Sequence, residues 1–149
     1  MWSTSSPLTP TLPNSAFLRH HARHLLRHAT SPDASRAMPV LRRLHAARAI
    51  PEHRLADLHA QRGRLQLKHM LALLAHELGY AGWAACNADI DARDPARLDA
   101  YRLDAGHFGD HVHQWFSSEA AARAWQREHG GYVMRYGAQA VAILARQAG

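Results

Sequence analysis

The spacing of apolar residues changes near residue 91, and this change constrains the fold more than any other feature of the sequence. Before it, apolar residues recur every three or four positions, as in a helix with one buried face. The clearest case is residues 64–78, with Leu67, Met70, Leu71, Leu74, Ala75 and Leu78. After residue 95, apolar and polar residues alternate, which is typical of strands. The sequence therefore predicts an α+β fold, in which N-terminal helical hairpins are packed with a small antiparallel β-β-α-β-β module.

Turn and capping residues divide the chain into four segments. Residues 1–14, rich in Ser, Thr and Pro, are expected to form a flexible leader. Residues 15–90 are predicted to be a basic helical subdomain, residues 91–97 a linker, and residues 98–149 a small α+β subdomain. In the last segment we expect strands over 98–104, 111–116, 132–136 and 139–144, with one helix before the closing hairpin. Ser117 is the expected cap of that helix, and Ala121 and Trp125 are expected to pack on the sheet.

Local signals predict where the N-terminal helices begin and end. Asn14 or Ser15 can cap the first helix, and Pro39 can start the second. A third is predicted from Pro51 to Gly63. Gly79 is expected to stop the helix over 64–78, with Tyr80 folding back over its last turn, before a short helix from Trp83.

Charge is distributed unevenly along the chain. Residues 1–80 carry eleven Lys or Arg against four acids, a net charge of +7, whereas residues 81–149 carry seven against eight, a net charge of −1. Nine of the thirteen histidines also lie in the basic half. No catalytic motif accompanies this asymmetry, so the sequence predicts a non-enzymatic binding or regulatory protein with a cationic surface. The abundance of Arg and Ala is also typical of GC-rich bacterial genomes.

The basic half is predicted to engage an acidic protein or an anionic polymer. In the first helix, Arg19, Arg23 and Arg27 form one stripe and His20, His24 and His28 another. Nucleic acid, DNA or RNA, is the alternative partner. The candidate contacts are Arg19, Arg23, Arg27, Arg42, Arg43, Arg64 and Lys68.

The stretch LALLAHELGYAGW, residues 71–83, has two interpretations. Ala75 and Gly79 have the spacing of a helix-turn-helix motif. The second helix, however, offers Ala84, Ala85 and Ala88 and no Arg, Lys or Gln before Arg93, so it lacks side chains to read base edges. A structural helical hairpin is therefore the favoured interpretation.

Four stretches of residues 38–144 resemble a family of small proteobacterial proteins. They are MPVLRRLHAARAIP, LQLKHMLALLAHELGYAGW, HQWFSSEAAARAW and HGGYVMRYGAQAVAIL. The second contains Ala75, Glu77, Gly79, Tyr80 and Trp83, a pattern that closes a helical hairpin. The resemblance implies the hairpin and small-sheet architecture, and it implies no activity, because none is established for the family.

A second alternative is a small metalloprotein. His111 and His113 are two apart on a predicted strand, and His107, Asp104 and Asp110 lie in or beside the preceding loop. Two imidazoles and a loop ligand can hold zinc or another divalent metal. The competing interpretation is a semi-exposed surface beside Trp115, and no cofactor is the primary expectation.

The single cysteine and the absence of long apolar runs predict the compartment. Cys86 cannot form an internal disulfide, which fits the reducing cytoplasm. No apolar run approaches the ~20 residues that span a bilayer, so a soluble protein is expected. The sequence leaves the oligomeric state open.

Overall fold

The computed structural model describes residues 2–50 and 54–146, and it confirms the α+β fold class. The chain divides into two compact units. We call Leu12–Arg93 the helical unit, and Met1–Thr11 together with Asp94–Gly149 the sheet unit. The division falls between residues 93 and 94, within the segment expected to be a linker.

The helical unit contains five α-helices among its described residues. They are α1 (Asn14–Ala29), α2 (Ala34–Ala47), α3 (Leu55–Ala60), α4 (Leu67–Glu77) and α5 (Trp83–Asp89). Helices α1, α2 and α4 pack against one another and bury one apolar face each. Their fully buried side chains include Leu18, Leu41, Leu44, Met70, Leu73 and Leu74. The helical periodicity of the sequence indicated the buried face of α4 in part: Met70, Leu74 and Ala75 are buried as predicted, but Leu73 is buried in place of Leu71, which is half-buried.

The predicted start of α2 is wrong. The helix begins at Ala34, five residues before Pro39, because the Asp33 carboxylate accepts the Ser35 amide at 2.9 Å and caps the first turn. Pro39 lies inside the helix on its exposed side. Its missing N–H would have bonded to the carbonyl of Ser35, an exposed residue that solvent can reach.

The end of α4 confirms the prediction for Gly79, which has a φ of 91°. Its amide donates to the His76 carbonyl at 3.0 Å, and the Tyr80 amide folds back to the Ala75 carbonyl at 2.9 Å. The start differs from the prediction, since α4 begins at Leu67 and residues Arg62–Arg64 form a separate 3-10 helix. The predicted helix start at Pro51 lies outside the described residues.

A polar cluster ties the start of α1 to the end of the helical unit. The Asn14 side chain donates to the carbonyls of Ile90 and Arg93 at 2.9 and 3.0 Å. The Asp91 carboxylate accepts the Ser15 amide at 2.7 Å and the Ser15 hydroxyl at 2.8 Å. These bonds hold the pKa of Asp91 below its ordinary value, because they favour the ionised carboxylate. A carboxylate 76 residues away in sequence thus helps to cap α1.

The sheet unit holds a three-stranded antiparallel sheet among its described residues. Its α-helices are α6 (Asp99–Asp104) and α7 (Glu119–His129), and its strands are β1 (Val112–Phe116), β2 (Tyr132–Tyr136) and β3 (Gln139–Leu144). The strand order is β1-β3-β2, with Trp115 and Met134 both paired to Val141. The closing hairpin has the predicted boundaries.

The predicted strand over 98–104 is wrong, so the sheet lacks the first strand of the expected β-β-α-β-β order. Asp94 accepts the Ala96 amide at 2.9 Å, and Pro95 occupies the first position of a 3-10 helix, Pro95–Leu98, that runs into α6. Leu98, Asp99 and Arg102 are buried with helical spacing. The buried residues of this segment therefore lie on one helical face, and the alternation of apolar residues does not correspond to a strand.

Helix α7 covers one face of the sheet. It packs Ala122 and Trp125 against Val133, Ala140 and Ala142. Ala121 is exposed instead, and Ala122 takes its place against the sheet. The helix is capped one residue later than predicted, at Ser118, whose hydroxyl accepts the Ala121 amide at 3.1 Å. Phe108 packs against the other face with Leu103 and Leu8.

Residues 2–11, expected to form most of a leader, contact the rest of the sheet unit. The backbone of Trp2 bonds to His129 and Gly131 at 3.3 and 3.1 Å. The Ser6 hydroxyl donates to the Asp99 carboxylate at 2.6 Å. Asn14, the last residue of the expected leader, is the first residue of α1.

Candidate anion-binding site

The division into units sharpens the charge asymmetry. The helical unit contains twelve Lys or Arg against six acids, a net charge of +6, whereas the sheet unit contains six of each, a net charge of zero. All of the excess positive charge of the chain therefore belongs to the helical unit.

The described acids of the helical unit act within its own fold. Asp33, Asp57 and Asp91 accept backbone amides at helix starts. Glu77 and Asp89 form ion pairs with Arg43 and Arg93. Because most of these carboxylates are bound to backbone amides, they leave many cations of the unit without an acidic partner.

Two of the predicted contact residues have structural roles. The Arg43 guanidinium makes two hydrogen bonds, of 2.9 and 2.6 Å, to the carboxylate of Glu77 and so joins α2 to α4. Arg19 donates to the Asn87 side chain at 2.8 Å, and its guanidinium carbon lies 5.5 Å from the centre of the Trp83 ring. These contacts join α1 to α5. Arg43 and Arg19 therefore both stabilise the packing of helices in this unit.

The other five predicted cations are exposed. None of them forms an ion pair with another described residue. Arg23 and Arg27 lie on the outer side of α1, and Arg42 lies on α2. Arg64 ends the 3-10 helix, and Lys68 lies in the first turn of α4. We call Arg23, Arg27, Arg42, Arg64 and Lys68 the exposed cation set.

Sequence reasoning missed two further exposed cations of α2, Arg36 and the capping residue Arg48. Neither forms an ion pair within the described part of the chain. The available signal was their position outside the buried residues Ala37, Val40, Leu41 and Leu44.

The histidines of α1 divide between the predicted stripe, His20, His24 and His28, and the buried His21 beside it. His21 is buried and stacks on Phe17, with ring centres 5.8 Å apart. The rings of His24 and His28, one turn apart, have centres 4.4 Å apart, while His20 is exposed. One histidine of this helix thus contributes to the core of the helical unit.

The candidate metal ligands are not brought together. His113 Nε2 bonds to the Phe108 carbonyl at 2.9 Å, and the half-buried His111 packs edge-on to the Phe108 ring. His107 is exposed. Within residues 2–50 and 54–146, no group of three or more His, Cys, Asp or Glu side chains is arranged to hold a metal ion. His111 and His113 instead contact Phe108 in the loop before β1.

The exposed side of α5 carries little that could read a base. Ala84, Ala85 and Ala88 are exposed, and the Asn87 oxygen accepts from Arg19. The helix buries Cys86 and is seven residues long. This surface supports the interpretation of residues 71–83 as a structural hairpin.

A cavity of about 250 Å³ includes Arg64, a member of the exposed cation set, in its lining, and no sequence pattern predicted it. Its described lining residues are Ile50, Leu58, Gln61, Arg64, Leu65 and His69. All of them belong to the helical unit.

Comparisons with protein-family models, curated proteins and solved structures found no match to this chain. The resemblance to a proteobacterial family therefore stays a prediction. No helix among the described residues combines the length and the apolar character needed to cross a membrane.

Proposed function

We propose that this protein is a non-enzymatic binding protein whose helical unit engages an acidic protein or another anionic polymer. The observation that carries the proposal is the confinement of the whole net charge, +6, to a unit whose described acids act in helix caps and ion pairs. The exposed cation set supplies the contacts.

The proposed attraction is electrostatic. Cations on a folded surface raise the local concentration of an anionic partner and accelerate encounter, and salt screens this effect over ~10 Å at about 0.1 M. Arginine adds directional hydrogen bonds to carboxylates. Arg23 and Arg27 lie one helical turn apart on α1, which suits repeated contacts with a partner that carries a row of acids.

Nucleic acid offers the same charge chemistry and is the second candidate. The alanine-rich surface of α5 lacks side chains that could read base edges, so nucleic acid would be bound through its phosphates. In that case the same cations would contact the backbone without sequence preference.

Binding to labelled probes of defined charge tests the proposal. Fluorescence anisotropy with poly-glutamate, poly-lysine, duplex DNA and single-stranded RNA would be measured from about 50 to about 300 mM salt. We expect saturable binding of poly-glutamate that weakens steeply with salt, and no binding of poly-lysine. Tighter binding of DNA or RNA than of poly-glutamate at every salt concentration would favour the second candidate. Failure to bind any of the polyanions would refute both.

A further inference from the structure

The cavity in the helical unit has an apolar floor and a polar rim. Leu58 and Leu65 are buried, with 2 % and 9 % of their surfaces exposed, and Ile50 is half-buried beside them. Gln61, Arg64 and His69 are the polar lining residues. No acidic side chain is among the described lining residues. The chemistry of the cavity therefore favours a ligand with an apolar body and a negative end.

Hydrogen bonds hold the walls of the cavity in place. Arg62 donates to the Ser31 carbonyl at 3.1 Å and to the His59 carbonyl at 2.7 Å, which anchors the 3-10 helix between α3 and α4. The Gln66 amide donates to His69 Nδ1 at 2.9 Å, which fixes the imidazole at the first turn of α4. Preformed walls reduce the entropy that a ligand would lose on binding.

The rim presents donors and a positive charge. Because His69 Nδ1 accepts a backbone N–H, the neutral ring carries its proton on Nε2, which is left as a donor. Burial, followed by the neighbouring Lys68, lowers the pKa of His69, so the neutral form is favoured. Arg64 is exposed and forms no ion pair with a described residue, so its guanidinium is available for a carboxylate.

We propose that this cavity binds a small amphipathic carboxylate, with one ring or a short branched chain on the apolar floor and the carboxylate at Arg64 and His69. A volume of about 250 Å³ is below the ~300 Å³ at which pockets for drug-sized ligands begin, so the ligand is small. The site goes beyond the proposed polyanion surface, with which it shares Arg64. A free acid and the C-terminal residue of a protein present the same chemistry.

Isothermal titration with 3-phenylpropionate tests this site in the full chain. Its neutral amide, its amine analogue and acetate are the controls for charge and for the ring. We expect saturable binding of the acid, binding of the amide weaker by about tenfold, and no binding of the amine or acetate. An acetylated peptide ending in Phe, with a free or amidated C-terminus, forms the second arm. Tighter binding of the free-ended peptide than of 3-phenylpropionate would assign the cavity to a protein C-terminus.

Two matched variants separate the cavity from the general charge of the unit. Arg64→Gln should weaken binding of 3-phenylpropionate by about tenfold, whereas Arg42→Gln, which removes an exposed cation outside the cavity, should leave it unchanged. Both variants should weaken poly-glutamate binding to a similar extent if the proposed function holds. In amide NMR spectra of the unmodified protein, the acid should shift resonances of residues 58–69 and leave those of α1 in place.

The site is refuted if 3-phenylpropionate shows no saturable binding, or if the two variants weaken its binding equally. If the unmodified protein binds 3-phenylpropionate but not poly-glutamate, the proposed function is contradicted and the cavity assignment stands.

Discussion

The two units use their charges in opposite ways. In the sheet unit, positive and negative residues are equal in number, and Asp99 and Arg102 form a buried ion pair with an O to N distance of 2.9 Å. Ser6 and Tyr132 donate to the same carboxylate at 2.6 and 2.9 Å. In the helical unit the described acids lie near helix ends or the surface, and the exposed cation set forms no ion pair with any described residue. The net charge of a unit therefore overstates the charge available to a partner, because some cations, such as Arg43, stabilise the fold instead.

The largest expected difference between the units concerns their ion pairs. Asp99→Asn should lower the free energy of unfolding by about 3–5 kcal/mol, because Arg102 is left as a buried charge without its partner. Glu77→Gln breaks the more exposed pair with Arg43 and should cost less than about 1 kcal/mol. Urea denaturation of both variants measures the contrast. Losses of equal size would contradict this account of how the two units use charge.

A smaller effect is expected at the cap of α1. Since the pKa of Asp91 is lowered in the fold, its ionised form stabilises the helical unit above the ordinary carboxyl range, and this contribution is lost as the pH falls through the lowered pKa. Asp91→Asn should therefore be less stable than the unmodified protein at neutral pH, and the difference should shrink in acid. Thermal melts across this range provide the measurement.

Asp110→Asn is the matched control for this pH series, because Asp110 is an exposed carboxylate of the sheet unit outside any helix cap. It should melt like the unmodified protein at neutral pH. If the melting temperatures of Asp91→Asn and the unmodified protein differ by the same amount down to about pH 2, the charge of Asp91 contributes nothing to stability.

Local signals were sufficient for much of the fold. Gly79 stops α4 because a glycine accepts the left-handed conformation there, and the closing hairpin follows from alternation around Gly137. The sequence also contained the signal for α6, an Asp followed by Pro at residues 94 and 95, but short apolar runs fit a strand or a helix equally well. The prediction of a helix start at Pro39 was wrong because a strong cap lies six residues earlier, at Asp33.

The site was less predictable, because it depends on distant contacts. Arg42 and Arg43 are adjacent and chemically identical, yet only Arg43 faces Glu77, 34 residues away. No local pattern separates the two. The cavity likewise depends on Arg62 reaching the Ser31 carbonyl, 31 residues away, which positions the segment that carries Arg64.

The most direct test of the central claim removes two exposed charges from each unit in turn. Arg23→Gln with Arg27→Gln changes the helical unit, and Arg97→Gln with Arg127→Gln changes the sheet unit, so the net charge of the chain falls equally. We predict that the first pair weakens poly-glutamate binding by about tenfold, at up to about 0.7 kcal/mol for each lost contact, and that the second pair changes it less than about twofold. Equal losses for the two pairs would show that binding follows total charge and would contradict a binding surface in the helical unit.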